Sequence, residues 1–255
     1  MQKWLNDLHA IIIKQGFDPD SGGGSGGSGG GTGVLIGKYL GDNYTTEQKQ
    51  AIANGTFNGL NIGDYWIING VTWRIADFDY YYNVGDTAFT KHHVVIIPDS
   101  ALYNAQMRTT SNQPCYSGSD MYITNLDNAR SAFDNAFGSS FIPSHRGLYS
   151  NAISGGNASA YTWRDMRIEL MNEVQLLGHC VWSQNVYDIG SQKTQFRLFV
   201  LDQNKINIRQ DYWLTNVFGS ASFICMNEDG SPKTIGAINS CGVRPFACIV
   251  GDPEQ

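Results

Sequence analysis

Five apolar residues near the start of the chain, Trp4, Leu5, Leu8, Ile11 and Ile12, fall at i, i+1, i+4, i+7 and i+8. That 3.6-residue period, stopped by Gly16, predicts an amphipathic helix over residues 2–15. Thr45 and Gln48 have capping-box spacing and Gly55 can end the helix they open, which predicts a short helix over residues 46–54. Residues 62–68 and 71–78 are strand-forming runs joined by Asn69-Gly70, the dipeptide that favours a type I′ turn, and predict a hairpin. Residues 94–97 form a short apolar run ended by Pro98, too short for a helix, and read as a buried strand. Thr124, followed by Asp127, caps a predicted helix to about Phe137, with Leu126, Ala129, Phe133, Ala136 and Phe137 on one side. A second short helix is expected over residues 145–152, and residues 168–177 fit helix or strand equally. Residues 220–227 alternate along a strand, and Glu228-Asp229-Gly230 supplies the turn of a closing hairpin.

Arg244 sits before Pro245 inside the apolar run 243–250, where a guanidinium is costly unless its donors find carbonyls or a carboxylate. It reads as a buried structural clamp. Trp213, inside the apolar strand 212–214, reads as core and not as a ligand platform. At 255 residues and 42% hydrophobic content, the chain can bury one large core with a small appendage. A formal net charge of -6 and the lack of long basic runs argue against nucleic acid as a partner. No apolar stretch reaches the roughly 18 to 20 residues that span a bilayer, and no basic segment precedes a cleavable apolar one, so neither membrane insertion nor Sec-type export is expected. Cys115, Cys180, Cys225, Cys241 and Cys248 are odd in number and lack C-x-x-C spacing, which supports neither a disulfide framework nor a zinc knuckle. They read as small buried hydrophobes, with one bridge among the last three left open.

The run SGGGSGGSGGGTG, residues 21–33, has no side chain larger than threonine. As free chain it would be a tether spanning about 20 Å root-mean-square. It divides the sequence into an anchoring helix (residues 1–20), a linker (21–33) and a main domain (34–255). A helix of about 14 residues is marginal alone in water. Its stripe therefore calls for a partner: another protein, further copies of itself, or its own domain across the tether.

Gly63-Asp64-Tyr65-Trp66-Ile67-Ile68-Asn69-Gly70-Val71-Thr72-Trp73-Arg74-Ile75-Ala76, Leu170-Met171-Asn172-Glu173 with Gly178, Tyr212-Trp213-Leu214 and Gly242-Val243-Arg244-Pro245-Phe246 stand in this order. Together these blocks resemble proteins coded by tailed phages and prophages of Gram-positive bacteria that carry a C-type-lectin-like domain. That domain is also seen in phage tropism determinants and the formylglycine-generating-enzyme superfamily. The likeness runs over about residues 41–250, and its blocks are specific in combination and weak singly. It implies an α+β fold, a C-type-lectin-like mixed domain of short antiparallel strands and a few helices. It also implies a virion component assembled in the host cytoplasm, a head or tail fibre, knob or decoration protein. Expected partners are other virion proteins and copies of the chain through residues 1–20, and a bacterial surface glycan or protein.

The candidate recognition face lies between Trp213 and Arg244, where Thr215, Asn216, Phe218, Phe223, Asn227 and Asn239 combine amides with aromatic rings. Ordinary loop polarity, with Phe218 or Phe223 in the core, is the alternative. A second candidate is Tyr80-Tyr81-Tyr82, flanked by Asp77, Asp79 and Asp86: aromatic faces can cover sugar C–H surfaces while carboxylates accept hydroxyl protons. Alternation along a strand would bury at least one of the three. The Glu-Pro-Asn or Gln-Pro-Asp triplet of calcium-dependent lectins is absent, and these aspartates alone do not make a calcium loop, so no metal is expected.

The motifs that announce an enzyme are missing: outside the glycine run 21–33 there is no Gly-x-Ser-x-Gly, and there is no His-Glu-x-x-His and no phosphate-cradling glycine loop. His92 and His93 are adjacent on a strand and so point to opposite faces. His145 precedes Arg146 at an expected helix start, and His179 and Cys180 are neighbours, not a thiolate–imidazolium pair. An oxidase of the related superfamily would need a cysteine pair, for which Cys241 with Cys248 is the candidate. A wall-degrading enzyme would need two carboxylates, for which Glu169 and Glu173 on one helical face are the candidates. The sequence favours a non-enzymatic module without cofactors: a host-recognition protein of the virion, or a decoration protein that packs on the particle.

Overall fold

The structure is a computed structural model, and it describes residues 37–110, 115–154, 157–182, 194–219 and 221–252. The chain divides into two units, residues 1–36 and residues 37–255. The expected helix over residues 2–15, with Trp4, Leu5, Leu8, Ile11 and Ile12, and the glycine run 21–33 lie outside the described residues.

The fold is α+β, with short helices and mostly antiparallel strands in open sheets. Helix α1 (Thr46–Ala53) starts at the expected capping box: Gln48 N donates to Thr45 Oγ1 at 3.3 Å and Thr45 N to Gln48 Oε1 at 3.0 Å. The same Gln48 oxygen accepts from Trp66 Nε1 at 2.9 Å, so the cap also fastens the helix to the sheet. Strands β1 (Tyr65–Ile68) and β2 (Val71–Phe78) form the hairpin set by Asn69-Gly70, whose φ values of 53° and 76° are those a type I′ turn requires. The first strand is shorter than its apolar run, because Gly63 at φ 90° turns the chain just before Tyr65.

Strand β3 (His93–Pro98) is buried throughout and is followed by β4 (Tyr103–Gln106). Helix α2 (Asp127–Phe137) buries Ala129, Phe133 and Phe137, and Phe133 and Phe137 pack on Trp73. Its start departs from expectation. A wide turn over Met121–Asn125 leads into it, and Thr124 donates its hydroxyl to Asp120 O instead of capping the helix. The short helix expected over residues 145–152 is instead strand β5 (His145–Ser154), paired antiparallel with β6 (Asn157–Met166). Hairpin pairing with the strand that follows after two residues, Ser154 opposite Asn157, overrode the helical reading there. Residues 168–177, which fitted both elements, hold one of each: strand β7 (Ile168–Leu170) and helix α3 (Glu173–Leu177). Helix α4 (Arg197–Leu201) precedes the closing strands β8 (Tyr212–Gly219), β9 (Ser222–Met226), β10 (Pro232–Gly236), β11 (Ser240–Val243) and β12 (Pro245–Val250).

Two five-stranded sheets carry the framework, in the orders β1-β2-β3-β12-β7 and β10-β9-β8-β11-β4. The first is antiparallel at every pairing, and the second has one parallel contact, Gly242 with Tyr212, between β11 and β8. The chain passes from the second sheet to the first at Arg244, between β11 and β12. Arg244 is fully buried, donates from Nε to Pro98 O at 3.0 Å and lies over the rings of Tyr212 and Phe199. A carbonyl at the end of β3 and two ring faces thus take a charge that would be expensive to bury bare. Trp213, next to Tyr212 in the chain, is buried and donates Nε1 to Ala105 O at 2.8 Å. No helix among the described residues is long and apolar enough to cross a membrane.

Candidate functional site

The second sheet and the segment after α3 build an exposed aromatic pair. Asn172 caps α3 reciprocally with Gln175 (2.8 and 2.9 Å), and Gly178 at φ 82° ends the helix after five residues. The chain then turns outward through His179 to Trp182. Glu173, fully buried, donates its backbone N–H to Asn216 Oδ1 on β8 at 2.7 Å and accepts from Trp182 N on Oε1 at 3.0 Å. The Trp182 indole N–H donates to Pro232 O on β10 at 2.8 Å, while the residue stays 42% exposed. Phe218, near the end of β8 and 40% exposed, meets it edge to face, with ring centroids 6.1 Å apart and planes at 87°. Val181, next to Trp182 in the chain, adds exposed apolar surface.

Trp182 is therefore anchored at both its backbone and its ring while part of its ring surface stays in water. Aromatic side chains so held lose little conformational freedom when a ligand stacks on them. The group can cover apolar C–H surface of a ligand.

The expected recognition face does not assemble. Thr215, Asn216 and Phe223 are buried, because β8 is covered on both faces as far as Val217. Asn216 serves as the acceptor for α3, and Phe223 lies in the core near the Arg108 guanidinium. Asn227 holds the β9–β10 turn, taking Lys233 Nζ on its side chain at 2.9 Å and donating its backbone N–H to Ser231 O at 2.7 Å. Asn239 is exposed and donates to Gly236 O at 2.9 Å. Phe218 alone of the six joins the surface pair.

The tyrosine run is corrected in the same sense. Tyr80 and Tyr81 are buried, the first donating to Thr194 O at 2.6 Å and the second accepting from Gln175 Nε2 at 2.8 Å. Burial pushes both phenols above their ordinary pKa. Tyr82 is half-buried and stacks on His92, with centroids 4.8 Å apart. The flanking aspartates are taken by structural pairs. A register shift in β2 between Ile75 and Asp77 marks a bulge, and Asp77 is buried against Arg197, Nε to Oδ1 at 2.5 Å. Burial pushes its carboxyl up despite that cation. Asp79 accepts from His93 N and contacts His92 Nδ1 at 2.8 Å, and Asp86 pairs with Arg146.

The groups weighed for chemistry are also dispersed. Glu169 lies on β7 and Glu173 on α3, not on one helical face. Burial holds the Glu169 carboxyl well above its ordinary pKa, and its Oε1 accepts from Tyr116 OH and from Leu170 N. Cys241 faces Cys225, not Cys248, and none of the five cysteines is bridged. Cys248 lies against His145 Nε2 at 3.7 Å. Burial pushes the imidazoles of His93 and His145 down to about 4 and about 3.

Sequence reasoning missed Trp182 and Val181. A signal was present: Val181-Trp182 follows a glycine that can stop a helix and precedes the polar run Ser183-Gln184-Asn185, so no apolar period claims the indole. No family model, no curated protein and no solved structure matches this chain.

Proposed function

We propose that this chain is a structural protein of a tailed-phage virion, a head or tail fibre or knob. It displays its main domain as a C-type-lectin-like module for host-surface attachment and is held on the particle by its N-terminal segment. The observation that carries the reading is the anchored, solvent-facing Trp182–Phe218 pair. The blocks that carry the family resemblance supply that scaffold: Asp64, Trp66, Trp73, Trp213 and Arg244 are all buried. The preferred ligand is a bacterial surface glycan, whose C–H faces suit indole and phenyl rings. Many tethered copies on one particle would make weak single-site contacts sufficient, since the tether sets their effective concentration.

A decoration protein without receptor binding is the second reading, favoured by the burial of Thr215, Asn216, Phe223, Tyr80 and Tyr81. Assembly and recognition are separable in this scheme. Leu8→Asp is expected to abolish incorporation into particles or oligomers while leaving the melting temperature of the main domain unchanged. Normal assembly combined with a lower melting temperature would instead put the helical stripe into the fold and remove the anchor from the scheme.

A further inference from the structure

Away from the aromatic pair, three side chains with metal-ligating atoms converge on the second sheet. Cys225 of β9 and Cys241 of β11 lean toward each other over β8, the strand that separates them in the sheet. Their sulfurs are 3.5 Å apart, with Cys225 as donor. Both sulfurs and a carboxylate oxygen of Asp211, the residue just before β8, lie within 4.8 Å of one another. The register explains the convergence. Cys225 pairs with Trp213 from one side, and Gly242 pairs with Tyr212 from the other. Gly242 N donates to Asp211 O at 2.8 Å, and a Cβ at Gly242 would sit 2.8 Å from that oxygen, so glycine permits the close approach.

Strands two apart in a sheet are separated by roughly 9.6 Å, beyond the ~7 Å between Cα atoms that a disulfide can bridge without backbone movement. A tetrahedral zinc ion with Zn–S bonds of about 2.3 Å places its two sulfurs ~3.8 Å apart, close to the spacing found here. The charges also balance. Two thiolates and one carboxylate carry three negative charges, and a divalent ion plus the Lys233 ammonium, 2.5 Å from Asp211 Oδ2, returns the sum to zero. Asp211 is oriented from outside the cluster: Glu228 N donates to Oδ1 at 3.1 Å, and Lys233 is held in turn by Asn227 Oδ1. The sulfurs are buried, while the Asp211 and Lys233 side chains are about one-third exposed, which gives an ion a way in and leaves the fourth position to water.

We propose that Cys225, Cys241 and Asp211 bind one zinc-type divalent cation, with Lys233 as its outer counter-charge, stapling β9, β8 and β11 together. The ligands stand fourteen and sixteen residues apart, so no short cysteine motif announces them. The proposal is independent of what the aromatic pair binds.

The test uses the full chain, purified reduced, loaded with zinc and dialysed before elemental analysis. The expected result is about one zinc per chain, protection of two thiols from alkylation, and, with cobalt in place of zinc, an intense thiolate-to-cobalt charge-transfer band. Cys225→Ser with Cys241→Ser should retain less than about one-tenth of the metal, and Asp211→Asn should weaken binding about tenfold or more while keeping the cobalt–thiolate band. Should the double serine variant fail to fold, the wild-type cobalt spectrum and the Asp211→Asn affinity decide the matter. Absence of that band in the wild type, zinc retention equal to that of a folded double variant, or a Cys225–Cys241 disulfide in the native protein would overturn the proposal.

Discussion

Tyr80 and Tyr81 are neighbours in the chain and end up in the interior, whereas Trp182 and Phe218 are far apart in the chain and meet at the surface. Both groups pair aromatic rings with a nearby carboxylate, and the difference is where the polar ends find partners. The phenols of Tyr80 and Tyr81 bond to Thr194 O and Gln175, so burial leaves no hydroxyl unsatisfied. The indole of Trp182 bonds to Pro232 O at the sheet edge, which fixes the ring without covering it. Clustering along a sequence is thus a poor guide to exposure, which depends on where the polar end of each ring finds its partner.

The comparison breaks most visibly through stability. Tyr81→Ala should cost about 3–5 kcal/mol in denaturant unfolding, because it empties a packed site among His145, Phe246 and Tyr80. A loss below about 1 kcal/mol would return Tyr81 to the surface.

Acid should act on the same buried region. His93 and His145 have pKa values depressed to about 4 and about 3, against an unfolded value near 6.5. Between those limits the unfolded chain binds protons that the native state excludes, so stability falls as pH drops from about 6.5 towards 4, by up to a few kcal/mol. His145→Leu should flatten that slope in melting temperatures taken across the range, and an unchanged slope would mean His145 is solvated.

Glu169 has the opposite sign. Its folded pKa is raised, so its contribution is present at low pH and is lost as pH rises above about 4.5. Glu169→Gln keeps an oxygen to accept from Tyr116 and Leu170, and it should stabilise the protein at pH 7 by about 1–3 kcal/mol. Destabilisation at pH 7 would show that the ionised carboxylate is needed. Smallest of all should be the stability effect of Trp182→Ala with Phe218→Ala, within about 1 kcal/mol, since both rings are substantially exposed. A larger loss would make the pair part of the fold.

The elements legible in the sequence were those whose signals are local. The Thr45–Gln48 box, the Asn69-Gly70 hairpin, the run before Pro98 and the closing hairpin each carry their own turn or cap chemistry. The segment at His145 was misread as a helix although Gly155-Gly156, between the paired residues Ser154 and Asn157, is a two-residue hairpin signal of the same local kind. Glu169 and Glu173 were separated because Asn172 caps a new helix between them, splitting one apolar run into strand and helix. At the candidate site, Phe218 was legible as an aromatic residue of the segment between Trp213 and Arg244, but Trp182 needed the three-dimensional meeting of α3, β8 and β10. Thr215 and Asn216 misled because polarity in a strand was read as exposure, when Asn216 is spent on the first N–H of a helix. The sequence left open a pairing among Cys225, Cys241 and Cys248, but which two meet was not legible, since the strands of Cys225 and Cys241 are brought together over a third.

The most direct measurement is binding of the fluorescent full chain, displayed as a multimer, to a panel of Gram-positive cells, beside Trp182→Ala with Phe218→Ala and beside Tyr82→Ala. The account predicts strain-selective binding that falls about tenfold or more in the double variant and is little changed in Tyr82→Ala. Equal binding by the folded double variant, or no binding to any strain, would contradict it.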